Sequence, residues 1–243
     1  MIPSFLFVTC MEATTHDNPL IGKPVAAASE NERAQFLRET YSHLAYAIIG
    51  FLALETVLLM SPLAPLAAQF MTAGFAWLIV LGAFMVVAYL ADSWARNSTS
   101  LSTQYWGLAL YVVAEAFIFL PLLYIAKVYA PDVIPIAGIV TAALFGGLTL
   151  LAFTTKADFS WLRGVLAIGG MVALGLIVAS IIFGFTLGVI FSGAMIVFAS
   201  AAILYSTSQL IHEYHTGQYV AASLSLFASV ALLFWYVLQI LMS

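Results

Sequence analysis

Charge is what this chain is short of. Of its 243 residues only seven are Lys or Arg and eleven are Asp or Glu, so 7% are charged while 64% are hydrophobic. A soluble domain holds roughly 25% charged residues. Water cannot solvate a compact fold with so little charge, and the chain reads as an integral membrane protein, with the lipid bilayer as its first partner. The few cations exclude a basic face for nucleic acid, because seven scattered Lys and Arg make no phosphate footprint. A single cysteine, Cys10, excludes a disulfide framework and any cysteine-built zinc cage. Enzyme signatures are missing as well: there is no serine nucleophile elbow, phosphate-binding loop, His-Glu-x-x-His helix or glycine-rich dinucleotide turn. No catalysis and no cofactor are expected.

What the chain does have is apolar sequence in runs. After Arg38 there are seven, each near the roughly 20 residues a helix needs to cross a bilayer. They fall at Tyr41–Met60, Gly74–Ala91, Tyr105–Ala126, Ile134–Phe153, Val165–Phe183, Leu187–Tyr205 and Tyr219–Leu241. Breakers separate them, among them Ser61-Pro62-Leu63-Ala64-Pro65, Ser93 to Thr103, Ala130-Pro131-Asp132 and Thr154 to Ser160. A tight link at Gly184-Phe185-Thr186 must divide a run too long for one crossing. The expected fold is all-α, a seven-helix transmembrane bundle over residues 39–243. Residues 1–38 are expected to form a cytoplasmic, largely disordered tail, too polar to order alone. Within it Ser29-Glu30-Asn31-Glu32 has the capping-box pattern and predicts a short helix from Ser29. The apolar start Ile2–Val8 is too short to span, and without a cationic flank or cleavage site it does not read as a signal peptide. Met11 remains open as an alternative start.

Counting cations in the connections orients the bundle. With the N-terminus in the cytoplasm, Lys23, Arg33, Arg38, Arg96, Lys156 and Arg163 fall on that side and only Lys127 on the other. An odd number of spans then puts Ser243 outside. Trp77, Trp94, Tyr105, Trp106, Tyr124, Trp161 and Tyr219 lie near span ends and suit interfacial anchoring. Gly146-Gly147 and Gly169-Gly170 read as places of close helix approach.

Two carboxylates fall well inside the spans, Glu55 and Glu115. Glu115 is mid-span, where an acid costs about 2.5–3.5 kcal/mol on insertion scales. Two readings stand open for it: a proton-sensitive group in an ion or substrate path, and a neutral acid that fixes packing. Glu55 sits nearer the outer end of its span and has the same two readings. No Lys or Arg lies inside a span to pair with either, so a retinal-type Schiff base has no lysine to form on. Asp92 and Arg96 are spaced for a helical ion pair, with a gate charge at a pore mouth as the other reading. His212 and His215 are spaced for two metal ligands, short of the three or four that zinc needs. No metal site is expected, and His212 reads instead as a pH-responsive group at the membrane surface.

Several strings in this order resemble a known family. Phe36-Leu37-Arg38-Glu39-Thr40-Tyr41-Ser42-His43-Leu44 precedes the first span, and Thr155-Lys156-Ala157-Asp158-Phe159-Ser160 precedes the fifth. Leu204-Tyr205-Ser206-Thr207-Ser208-Gln209 closes the sixth, and Tyr219-Val220-Ala221-Ala222-Ser223-Leu224 opens the seventh. Together they resemble the Bax inhibitor family, the transmembrane Bax inhibitor motif proteins that include YccA-like bacterial inner-membrane proteins. The resemblance implies a bundle built around its last helix. It implies either a pH-gated calcium leak or a regulatory role, such as modulation of a membrane-bound AAA protease or of a stress response. The leak would rest on two Asp residues sharing a proton, since like charges so close cannot both ionise cheaply. Here those positions are Ser206 and Ser229. Neither hydroxyl holds a charge, so the resemblance predicts the scaffold without the gate. A weak leak would then have to use Glu115.

Overall fold

The computed structural model describes residues 21–72, 74–97, 99–155 and 157–243. Cys10, Met11 and the apolar start lie outside the described residues. Eight α-helices follow one another: α1 (Glu30–Met60), α2 (Leu63–Thr72), α3 (Phe75–Ala95), α4 (Leu101–Tyr129), α5 (Val133–Thr155), α6 (Leu162–Phe183), α7 (Gly188–His212) and α8 (Tyr219–Leu241). All except α2 are long and apolar enough to cross a membrane. They are the seven expected spans, several of them longer than expected.

The helix starts follow local chemistry. Ser29 caps α1: its Oγ accepts the Glu32 N–H at 3.4 Å and the Glu32 carboxylate accepts the Ser29 N–H at 3.0 Å, a closed capping box. Asn97 Oδ1 accepts the N–H groups of Thr99 and Ser100, and Ser100 Oγ caps α4 through Thr103 N–H at 3.3 Å. Gly184 ends α6 in the left-handed conformation, φ +72°, with its N–H on the Ser180 carbonyl at 2.9 Å. The single long run therefore becomes two antiparallel helices. The one added element is α2. The prolines around Ser61 read as a breaker, yet Pro65 falls in the first turn of a helix, where its missing N–H costs nothing.

Two helices are central. The most apolar stretches of α8 and α4 are 67% and 61% buried within the protein, against 17% for α5 and for α6. α8 packs against α1, α3, α4, α5 and α7. α3 and α4 approach closely at Gly107, where a Cβ would run into the backbone of Ala91 and Ala95. The sequence pointed to other glycines. A Cβ at Gly146 or Gly147 would meet nothing, and the close approach expected there is absent; Gly169 accommodates the Phe198 ring. Trp77 is a second correction. It is 9% exposed and packed into the protein, so it is no interfacial anchor, whereas Trp106 and Trp161 are exposed as expected.

The two ends of the bundle differ. One, the strap face, carries residues 21–28, the α3–α4 and α5–α6 connections and the α7–α8 loop. The other, the link face, carries α2, the Gly184 link and the C-terminus. At the strap face residues 21–25 run antiparallel to the α7–α8 loop. The N–H groups of Thr216 and Gly217 donate to the carbonyls of Lys23 and Ile21, and Val25 N–H donates to Tyr214, each at 2.9 Å. Gly22, at φ +73°, is pressed so closely on Thr216 Oγ1 that no side chain fits there. Val25 is fully buried, and Lys23 pairs with Glu32 at 2.9 Å. Residues 21–28 are thus docked on the α7–α8 loop, and the helix expected from Ser29 begins at Glu30.

Candidate functional site

Three polar groups of residues lie within or against the bundle, and they are built differently. The first joins the two most closely packed late helices. Residues Ala202, Ile203 and 205–210 of α7 are all buried, as are Val220–Leu224 of α8, so no face of either segment is left for lipid. Small side chains let such backbones approach and leave hydroxyls to bond across. Ser206 Oγ lies 3.1 Å from Ser229 Oγ and 3.2 Å from Ser225 Oγ, and Ser229 Oγ donates to the Ser225 carbonyl at 3.0 Å. Each hydroxyl owns one hydrogen. Ser229 spends its own on the carbonyl, so Ser206 must donate to Ser229 and receive from Ser225. The trio is fully satisfied. It carries no charge.

The second group is the pair of buried acids. α1 and α4 run parallel, and Phe51 meets Phe119 edge to face at 5.2 Å. Phe227 lies 6.0 Å from Phe51, and Phe234 and Trp235 lie 5.7 and 5.1 Å from Phe119, completing an aromatic block. Glu115 sits one turn from Phe119 toward the strap face, and Glu55 one turn from Phe51 toward the link face. Their separation is about 12 Å of axial rise. Both are buried, with exposures of 1% for Glu115 and 3% for Glu55. Glu115 is hydrogen-bonded by Tyr111, one turn before it, but among the described residues its Oε2 has no hydrogen-bond partner, and neither do Oε1 and Oε2 of Glu55. Other buried polar atoms share this state, Thr40 Oγ1 and Thr207 Oγ1 among them, but among the described residues no other carboxyl does, and a buried carboxyl is costly to leave so. On the link face Lys127 Nζ donates to the Leu59 carbonyl at 3.3 Å, one turn beyond Glu55.

The third group is the charged cluster of the strap face. Arg96 Nε donates to both oxygens of Asp92, at 3.1 and 2.9 Å, and the guanidinium stands 5.8 Å above the Tyr214 ring. Tyr214 in turn lies 6.5 Å from Phe36. Asp92 is therefore engaged in a clasp that holds the end of α3 to the loop between α7 and α8. His212 Nδ1 takes the proton-bearing role toward the Ser208 carbonyl at 2.9 Å, closing the last turn of α7. Ser208 Oγ also accepts the Phe159 N–H at 3.1 Å, tying the Asp158-Phe159-Ser160 turn to α7. Within that turn the Ser160 N–H, 2.9 Å from Oδ1, holds the Asp158 carboxyl below its usual range. His215 is committed elsewhere, beside Pro24 in the strap. Among the described residues no three His, Cys, Asp or Glu side chains gather as a metal site would require.

The sequence singled out Glu55, Glu115, Asp92, His212, Ser206 and Ser229. The structure brings Ser206 to Ser229 and sets Glu55 and Glu115 on either side of one aromatic block. It places Asp92 and His212 in separate contacts at the strap face. Ser225 escaped the sequence reading, although its spacing of four from Ser229 puts both on one face of α8. Tyr214 escaped too, because only the fold brings it between Phe36 and Arg96.

A bundle of seven membrane-crossing helices with α8 innermost, and with a buried polar contact between its last two helices, defines a class of multi-pass membrane protein. The family model described as inhibitor of apoptosis-promoting Bax1 matches residues 33–243. The chain belongs to the Bax inhibitor family. It is 31% identical to an uncharacterized protein of Pseudomonas aeruginosa over 88% of this chain and 92% of that one. It is 26% identical to Bax inhibitor 1 of Schizosaccharomyces pombe over 93% of this chain and 84% of the relative. It is 37% identical to the modulator of FtsH protease YccA of Escherichia coli, over 45% of this chain and 50% of YccA. No solved structure matches it.

Proposed function

We propose that this chain is a regulatory, partner-binding protein of a bacterial inner membrane, one that modulates a membrane-bound AAA protease. Residues 1–38 lie on the cytoplasmic side and Ser243 outside, as the cation count favours. The observation that carries the reading is the 3.1 Å contact between Ser206 and Ser229. At the two positions where the family resemblance puts a proton-sharing pair of Asp, these side chains are neutral and already hydrogen-bonded. The calcium chemistry of that pair has no carboxylate to run on. What the chain presents to the cytoplasm instead is a built surface, the strap with its ion pairs. The similarity to the YccA modulator supplies the kind of partner. In proteoliposomes holding FtsH and a membrane-embedded substrate, adding the full chain is expected to change the rate of substrate turnover. Deleting residues 1–28 is expected to abolish that change. Turnover indifferent to the full chain would overturn the reading.

A second reading rests on one observation of its own, the Oε2 of Glu115 at the middle of α4, which has no hydrogen-bond partner among the described residues. A weak proton or cation leak would use this carboxyl in place of the missing pair. Glu115→Gln is expected to abolish such a leak in reconstituted vesicles. A leak left unchanged by that substitution removes the mechanism.

A further inference from the structure

A cavity of about 560 Å³ opens at the link face, away from the serine trio and the strap. Its mouth is the 185–188 link, and its inner end reaches Ile118, one helical turn from Glu115. That volume lies within the range of small-molecule pockets, roughly 300–1,000 Å³. No Asp, Glu, Lys, Arg or His lines it. A charged ligand would be stripped of water there with no side-chain charge to compensate it, and the Ser243 carboxylate in the lining would repel an anion, so an uncharged ligand is favoured. The walls are flat and aromatic, with Trp77 and Trp235 both more than nine-tenths buried.

Two polar side chains of the lining have hydrogen-bonding groups to spare. Tyr236 is 3% exposed, and its ring rests edge-on against Phe191 at 6.0 Å. Its hydroxyl has no hydrogen-bond partner among the described residues. Gln239 takes a long bond from Ser192 Oγ, 3.5 Å, on its oxygen, and its amide hydrogens have no partner among the described residues. A phenol O–H and a carboxamide NH₂ are donors. Tyr236 and Gln239 therefore have donors to spare, and a ligand that satisfies them brings acceptor oxygens on an apolar body.

We propose that this cavity binds one uncharged amphiphile through its carbonyl oxygens, which accept from Tyr236 and Gln239 while the apolar body lies between Trp77 and Trp235. Two membrane-soluble sources share that chemistry, a quinone and a glycerol diester. The test is equilibrium binding of radiolabelled decylubiquinone and of radiolabelled dioctanoylglycerol to the full chain in detergent micelles, with unlabelled dodecane as competitor. One saturable site per chain is expected for at least one of the two probes, with no competition from dodecane. Saturation by decylubiquinone alone identifies the quinone, by dioctanoylglycerol alone the diester, and by both the shared carbonyl chemistry. The double variant Tyr236→Phe, Gln239→Leu is expected to weaken binding at least tenfold. Tyr236→Phe alone, which keeps the ring and its packing, is expected to weaken it by several-fold and serves if the double variant fails to fold. Absence of saturable binding for both probes, equal competition by dodecane, or unchanged affinity in Tyr236→Phe would each overturn the proposal.

Discussion

Two of the buried polar sites in the bundle are treated in opposite ways. Between α7 and α8, every hydroxyl hydrogen of Ser206, Ser225 and Ser229 has an acceptor. Around the Phe51–Phe119 contact, three of the four carboxyl oxygens of Glu55 and Glu115 have no hydrogen-bond partner among the described residues. A satisfied network specifies packing and has little chemistry left to offer. An unsatisfied buried acid costs stability and persists where something is gained from it. On the proposed reading the serines serve architecture, and any proton chemistry would fall to α1 and α4.

The largest expected effect comes from spoiling the satisfied site. Ser206→Asp alone places one acid in a fully packed contact and is expected to destabilise the protein by about 2.5–3.5 kcal/mol. Denaturant unfolding in detergent would measure it, and a change near zero would mean that the contact is open to water. At the unsatisfied site the sign reverses. Glu55→Leu removes two oxygens that have no hydrogen-bond partner among the described residues and is expected to raise stability by about 1–3 kcal/mol, read by the same titration. A loss instead would show that the carboxyl is held by a partner. Arg96→Met cuts the strap-face clasp, both its ion pair with Asp92 and its stacking on Tyr214, for a loss of about 1–2 kcal/mol. Faster hydrogen exchange at the Thr216 and Gly217 amides would accompany it if the clasp supports the strap. The smallest effect should be Ser229→Ala, about 0.6 kcal/mol, typical of a bond between membrane helices.

Much of this architecture was legible in the sequence because its solvent is lipid. Seven runs of crossing length leave few alternatives when every backbone group must be bonded within its own helix. The capping box at Ser29 and the turn at Gly184 were legible for the same local reason: each needs only neighbours in sequence. The failures share a cause as well. A residue that permits close helix packing is Gly107, inside an ordinary-looking run, because packing is decided by what faces a glycine and not by glycine density. The docking of residues 21–28 depends on a loop almost 200 positions away, and no periodicity announces it. The polar sites divide along the same line. Glu55 and Glu115 stand out as acids in apolar runs, yet that a single aromatic block separates them follows only from the parallel run of α1 beside α4. Trp77 read as an anchor because it lies at a span end, and the cavity it lines exists only once the 185–188 link folds over α8.

The neutrality of the α7–α8 contact is tested most directly by calcium flux into proteoliposomes, measured between about pH 6 and about pH 8 for the natural chain and for the Ser206→Asp, Ser229→Asp double variant. Flux through the natural chain is expected to be low and flat with pH, whereas the double variant, with two carboxyls close enough to share a proton, should gain a leak that falls as the medium is acidified. A large, acid-tuned calcium flux through the unaltered chain would contradict the assignment of Ser206 and Ser229 to packing alone.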